Sequence, residues 1–241
     1  MSFDTFGFGK GDDNIISTSK AYKGKKDNTD RVSFCWWPIK EDGKLDLEAD
    51  TPKFIGAKRG YRDGVGYFLV KGPEYAKLAD GKPKTQVATL LVIWPTDDKG
   101  KLNIDAFKRG EFEVKPWVFS QDKYRSLAGI AEEWPFAEHD IKMKCLDTQY
   151  QKMEFNNLKD SCLKKVFDGD TDTHKMMQNK ILAAIEELAP DLGSVICRDY
   201  DIQELHEKIY GESASSSGGG YTGNNTPGDI DGEVDDILGD L

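Results

Sequence analysis

The stretch "EFEVKPWVFSQDKYRSLAGIAEEWP", residues 111–135, changes its period at Ser120. Before Ser120 it is β-like, rich in Val, Phe and Trp, and Pro116, which has no N–H for a ladder, belongs on a sheet edge. After Ser120, Tyr124, Leu127 and Ala131 recur at helical spacing. Ser120 is placed to cap that helix and Pro135 to stop it. A strand that hands over to a helix limits the folds, so what lies on either side decides between them.

Upstream, "RVSFCWW" at 31–37 alternates, with Val32, Phe34 and Trp36 on one face and Ser33, Cys35 and Trp37 on the other. "PKFIGAKRGYRDGVGYFLVKG" at 52–72 reads as a hairpin or a long bent strand, with Gly56, Gly60, Gly64 and Gly66 at bends or turns. "KTQVATLLVIW" at 84–94 is a β-branched run ended by Pro95. Downstream, "DIKMKCLDT" and "YQKMEFNNL" read as two further strands. Several strands, a helix and a strand pair follow the order of an OB-fold, a small barrel with a helix between its third and fourth strands. The expected class is therefore mainly β with added helices. An OB-fold-like core spans 30–156, and a helical extension packs on it at 157–210. There, Met176, Met177, Ile181, Ala184, Ile185 and Leu188 share a helix face that Asp172 or Thr173 caps.

The ends differ from this body. Residues 1–29 read as a flexible basic N-terminal arm carrying Lys20, Lys23, Lys25 and Lys26. Residues 211–241 read as a disordered Ser/Gly linker and an acidic tail with no means of burying a core. The net charge is −10 overall, and the seven acids after Tyr210 face no base. Residues 51–125 instead hold fifteen Lys and Arg against nine Asp and Glu. An acidic end and a basic middle suggest a polyanion held by the body and a separate role for the tail. Four dispersed cysteines without a C-x-x-C pair read as buried thiols. With no apolar run long enough for a membrane and no secretory pattern at the start, a cytoplasm is the expected compartment, a host's if the chain is viral.

The motifs of catalysis fail in turn. "DGKPKT" at 80–85 lacks the upstream glycine of a phosphate loop and is interrupted by Pro83. "DGDTDT" at 168–173 lacks the turn glycine and the bidentate Glu of a calcium loop, and reads as a helix cap. No H-E-x-x-H or G-x-S-x-G is present. Neither catalysis nor a cofactor or metal is expected.

What remains is Lys and Arg interleaved with aromatic rings. Trp37, Phe54, Lys58, Arg59, Tyr61, Arg62, Tyr67, Lys71, Lys84, Trp94, Lys115 and Trp117 are the candidate nucleic-acid contacts, with Tyr61 first among them. Cations follow phosphates and flat rings stack on unpaired bases, so this mixture suits a single strand of any sequence. Most such rings on alternating strands are core, so about a third are expected to be exposed. An internal echo pairs "WPIKEDGKLDLE" at 37–48 with "WPTDDKGKLNID" at 94–105, either a duplicated hairpin or two similar turns.

The β-rich body with "KFIGAKRGY", the Ser/Gly linker and the terminal "DDILGDL" together resemble bacteriophage single-stranded DNA-binding proteins. The resemblance implies an OB-fold core that coats exposed single strands in replication, recombination and repair. It further implies a tail that occupies the basic groove until DNA displaces it and then recruits a polymerase, primase or helicase. The tail residues concerned are Asp229, Asp231, Glu233, Asp235, Asp236, Ile237, Leu238, Asp240 and Leu241. The helical extension exceeds a minimal OB-fold and serves either self-association or capping. Two rival readings are an RNA-binding or transcription-regulating module and a protein-interaction adaptor that uses only its tail.

Overall fold

A computed structural model describes residue 16 and residues 20–97, 100–148 and 152–211. The acidic tail, most of the linker and the first fifteen residues lie outside the described residues.

The sheet is built around β4 (Lys84–Trp94), whose Val87–Val92 run is buried throughout. One edge of β4 pairs along its length with β5 (Glu113–Ser120), from Gln86↔Ser120 to Ile93↔Glu113. Its other edge is shared end to end. β2 (Ile55–Arg62) takes the first half and β1 (Thr29–Phe34) the second. β3 (Gly66–Leu69) pairs with β2, and β6 (Ile141–Cys145) and β7 (Met153–Asn157) continue from β1. Every strand pairing is antiparallel, which gives a mainly antiparallel sheet with helices around it. Among the described residues no ladder joins β5 to β7, so the sheet does not close into a hydrogen-bonded barrel.

The helices follow their caps. Ser120 accepts from the Lys123 N–H and opens α3 (Gln121–Glu133), in line with the change of period there. α1 (Pro73–Lys77), α2 (Ile104–Lys108) and α4 (Cys162–Asp168) are short helices, of which only α4 falls where a helical extension was expected. α5 (Asp172–Leu188) buries Met177, Ile181 and Ile185 and leaves Met176 exposed. Its cap is Thr171, whose hydroxyl accepts from the His174 N–H, rather than Asp172 or Thr173. After a 3-10 turn at Leu192–Val195, α6 (Ile202–Tyr210) is capped by Asp201. A second small core of Phe68, Tyr75, Leu78, Tyr200 and Leu205 ties the β2–β3 hairpin to this last segment. All four cysteines are free and buried, as read from their spacing.

Two sequence expectations are corrected. Described residues of the proposed arm pack on the body. The Tyr22 N–H donates to the Pro116 carbonyl at 2.7 Å, the Asp27 N–H donates to Cys145 at 2.8 Å, and Tyr22 itself is buried. Residues 22–28 therefore lie across the gap between β5 and β6, and β1 starts at Thr29 rather than Arg31. A Cβ on Gly24 would sit 3.0 Å from Cys145 Cβ and 3.2 Å from the Tyr22 hydroxyl, so the crossing is tightly packed here. Secondly, β1 stops at Phe34. The chain then turns tightly, with the Trp37 N–H bonded to the Cys35 carbonyl at 3.2 Å, and the alternation loses its phase. Trp37, a candidate contact, ends inside, 1% exposed, while Trp36 on the other face is half-buried.

The internal echo is structural. Ile39 bridges Leu45 as Thr96 bridges Leu102. The bonds Lys40 N–H to Lys44, Gly43 N–H to Lys40 and Asp46 N–H to Pro38 recur as Asp97 to Lys101, Gly100 to Asp97 and Asn103 to Pro95. Gly43 and Gly100 both take positive φ, at 80° and 71°, where a side chain is strained. The approaches to the two turns differ, since β1 ends at Phe34, three residues before Trp37, while β4 runs through Trp94.

Candidate nucleic-acid interface

A cleft of about 1110 Å³ lies over the β3–β2–β4–β5 side of the sheet. Pairing register explains its lining. Residues directly opposite in antiparallel strands share a face. Arg59 is opposite both Leu69 and Lys84, Tyr61 is opposite Tyr67, and Gln86 is opposite Ser120. One face thus presents Arg59, Tyr61, Tyr67, Lys84 and Gln86 in a row. Lys23 from the crossing segment, Lys123 from α3 and Arg198 beyond the 3-10 turn complete the rim. Five Lys and Arg line the cleft, and among the described residues no Asp or Glu does.

Two rings are accessible on this face. Tyr61 and Tyr67 are 45% and 47% exposed, with centroids 5.2 Å apart and planes inclined by 57°. The Arg59 guanidinium lies 3.9 Å from the Tyr67 ring centroid and donates to the Ile196 carbonyl at 3.1 Å. Burial pulls the Arg59 pKa below its ordinary value, and burial does the same to Lys123. Both are cations partly withdrawn from water at a site where anionic charge would be welcome.

The other expected contacts lie elsewhere. Trp37, Trp94 and Trp117 are at most 3% exposed and belong to the core. The Trp37 indole donates to the Phe34 carbonyl at 2.6 Å and the Trp94 indole to the Ser33 hydroxyl at 2.7 Å. Trp117 lies at the cleft but is stacked on Phe119 at 4.0 Å and offers no free face. Phe54 is half-buried and packs edge-on against Phe34, Phe119 and Tyr124. It lines a separate apolar groove with Trp36, Ile39 and α5 residues. Lys58 and Arg62 sit at even positions of β2 and so face away from Arg59 and Tyr61. Arg62 is held by Asp80 at 2.7 Å, Lys71 by Asp199 and Lys115 by Glu113. Of the twelve candidate contacts, the fold brings together Arg59, Tyr61, Tyr67 and Lys84, and Trp117 stands behind them with its face covered. The sequence reading missed Lys123 and Arg198, which reach the cleft from distant segments, and it placed Lys23 on an arm.

No helix among the described residues is long and apolar enough to cross a membrane. No family model matches the chain, and neither a curated protein nor a solved structure matches it.

Proposed function

We propose that this protein binds single-stranded DNA without sequence preference, in the manner of the phage single-stranded DNA-binding proteins that its sequence resembles. The observation that carries this reading is the acid-free cationic cleft lined by the accessible Tyr67, with the exposed Tyr61 beside that ring. Phosphates need the cations and unpaired bases need the rings. Two features of the fold support it. The pairing order β5–β4–β1–β6–β7 within the sheet, with α3 between β5 and β6, is compatible with an OB-like barrel left open between β5 and β7. The cleft lies along β4 and β5, with the hairpin of the β1–β4 connection on one side and Met153 at the start of β7 on the other. That is the region where OB barrels hold oligonucleotides.

The test is fluorescence anisotropy of a labelled oligo-dT, with duplex DNA and an RNA oligomer as comparisons. Quenching of Trp emission suits this chain poorly, because Trp37, Trp94 and Trp117 are buried. Affinity for oligo-dT is expected to exceed that for duplex, and log K to fall with log salt at a slope of at most about −3.5 if all five rim cations meet phosphates. A flat salt response, or equal binding to duplex, defeats the reading. Tighter binding to RNA would favour an RNA-binding module instead.

The acidic end has a place in this proposal as a competitor for the cleft and as a handle for polymerase, primase or helicase. Deleting residues 212–241 removes seven acids and is expected to raise oligo-dT affinity, most at low salt where charge is least screened. An unchanged affinity in the isotherm of the truncated chain removes the competitor role.

A further inference from the structure

Resting on the single-strand reading, we propose that Arg59 anchors one nucleotide: with Lys84 it seats a phosphate, and through its stack on Tyr67 it positions that ring to take the adjoining base. The geometry divides the work of the guanidinium. Its Cζ lies over the Tyr67 ring, 3.9 Å from the centroid, and one of its N–H groups is spent on the Ile196 carbonyl at 3.1 Å. A guanidinium carries five N–H donors in one plane. Stacking uses the face and leaves the remaining edge donors for an in-plane acceptor. Among the described residues no carboxylate pairs with Arg59, in contrast to Arg62, Lys71 and Lys115. A half-buried cation without a counter-charge favours an anion at its open edge. Lys84, directly across the ladder, adds a second charge there.

The Arg59 guanidinium sits over the Tyr67 ring, yet Tyr67 stays 47% exposed, so it keeps accessible area for a base. Tyr61, inclined by 57° at 5.2 Å, forms a wall beside it. Arg59 is a positioning residue toward the base and a direct ligand toward the phosphate.

The experiment compares a labelled dT oligomer with an abasic oligomer of equal length, on the full chain and its Arg59→Lys, Tyr67→Leu and Lys84→Gln variants. Thermal melts by circular dichroism confirm that each variant is folded. For the unaltered chain, dT is expected to bind about tenfold tighter than the abasic strand, the ratio that stacking supplies. Arg59→Lys keeps the charge but loses the planar stack, so it should shrink this ratio toward one, as should Tyr67→Leu. Lys84→Gln should weaken both oligomers alike and leave the ratio standing. If the unaltered chain binds both oligomers and the ratio survives both Arg59→Lys and Tyr67→Leu, the anchor is overturned while single-strand binding stands. If the unaltered chain binds neither oligomer, both fall together.

Discussion

Replacing Asp140 with alanine is expected to lower the stability of the fold by about 3–5 kcal/mol, the cost of breaking a buried, hydrogen-bonded ion pair from one side. Asp140 is fully buried and precedes β6. It accepts from Arg31 Nε at 2.6 Å, from the Ser33 hydroxyl and from the Cys162 N–H at 3.0 Å. Ser33 in turn accepts from the Trp94 indole. One carboxylate thus joins β1, β4 and the start of α4. Without it, Arg31, 8% exposed, keeps only Asp160, through the side chain at 3.0 Å and the carbonyl at 3.1 Å. Urea unfolding of the full chain would measure the loss as a fall in midpoint at constant slope. A loss under about 1 kcal/mol would reduce the network to an ordinary surface pair. Acid probes the neighbouring pair. Asp160 titrates below the ordinary carboxylate range, through Lys165 first, against some opposing burial, and then through Arg31. A carboxylate lowered in the folded state contributes stability above its unfolded pKa, about 4, and that contribution disappears as pH falls through the lower folded value. Asp160 is 42% exposed, so its share is small beside that of Asp140.

The elements were legible where local chemistry was strong. Residues 84–94 read as a strand because β-branched residues fill them, and α3 read as a helix from its cap, its spacing and its proline. The stretch at 52–72 was left between a hairpin and a long bent strand, and the β2–β3 pairing, with Gly64 and Gly66 at positive φ around its turn, makes it a hairpin. Legibility failed where pairing across the chain overrode the local pattern. Tyr22–Asn28 looked like an arm because its anchors, Pro116 and Cys145, are about a hundred residues away in sequence. Trp37 was misplaced because a turn, invisible in the alternation, shifts the phase after Phe34.

The site was half legible for a related reason. Strand period alone separates Arg59 and Tyr61 from Lys58 and Arg62, two on each face of β2, and applying it strictly would have removed two candidates. No local rule brings Lys123 and Arg198 to the same cleft. Arg198 arrives because its backbone bridges Phe68 beside β3, and its N–H donates to the Tyr67 carbonyl at 3.1 Å. The C-terminal extension is therefore a wall of the cleft as well as a cap on the core. Its Ile196 carbonyl also holds Arg59.

Replacing Trp117 with alanine should separate folding from binding. Trp117 was a candidate for stacking on DNA, yet it is 3% exposed, stacked on Phe119 at 4.0 Å and flanked by Tyr22, Phe34 and Phe155. Tyr22 belongs to the crossing segment and Phe155 to β7, so this one indole fills the space where the unpaired edges of the sheet approach each other. Truncating it opens a large cavity at a place that no ladder holds together. The expected cost is about 3–5 kcal/mol, the range for a buried Trp. Trp117→Phe keeps a ring against Phe119 and should cost much less. Oligo-dT affinity, measured well below the melting transition, should fall less for Trp117→Ala than for Tyr67→Leu. The ranking matters more than either value, because a core ring acts on stability and a surface ring on the ligand. If Trp117→Ala melts like the unaltered chain and loses most of its DNA binding, the indole faces the cleft after all. The junction between β5 and β7 would then have to be held by something other than this ring.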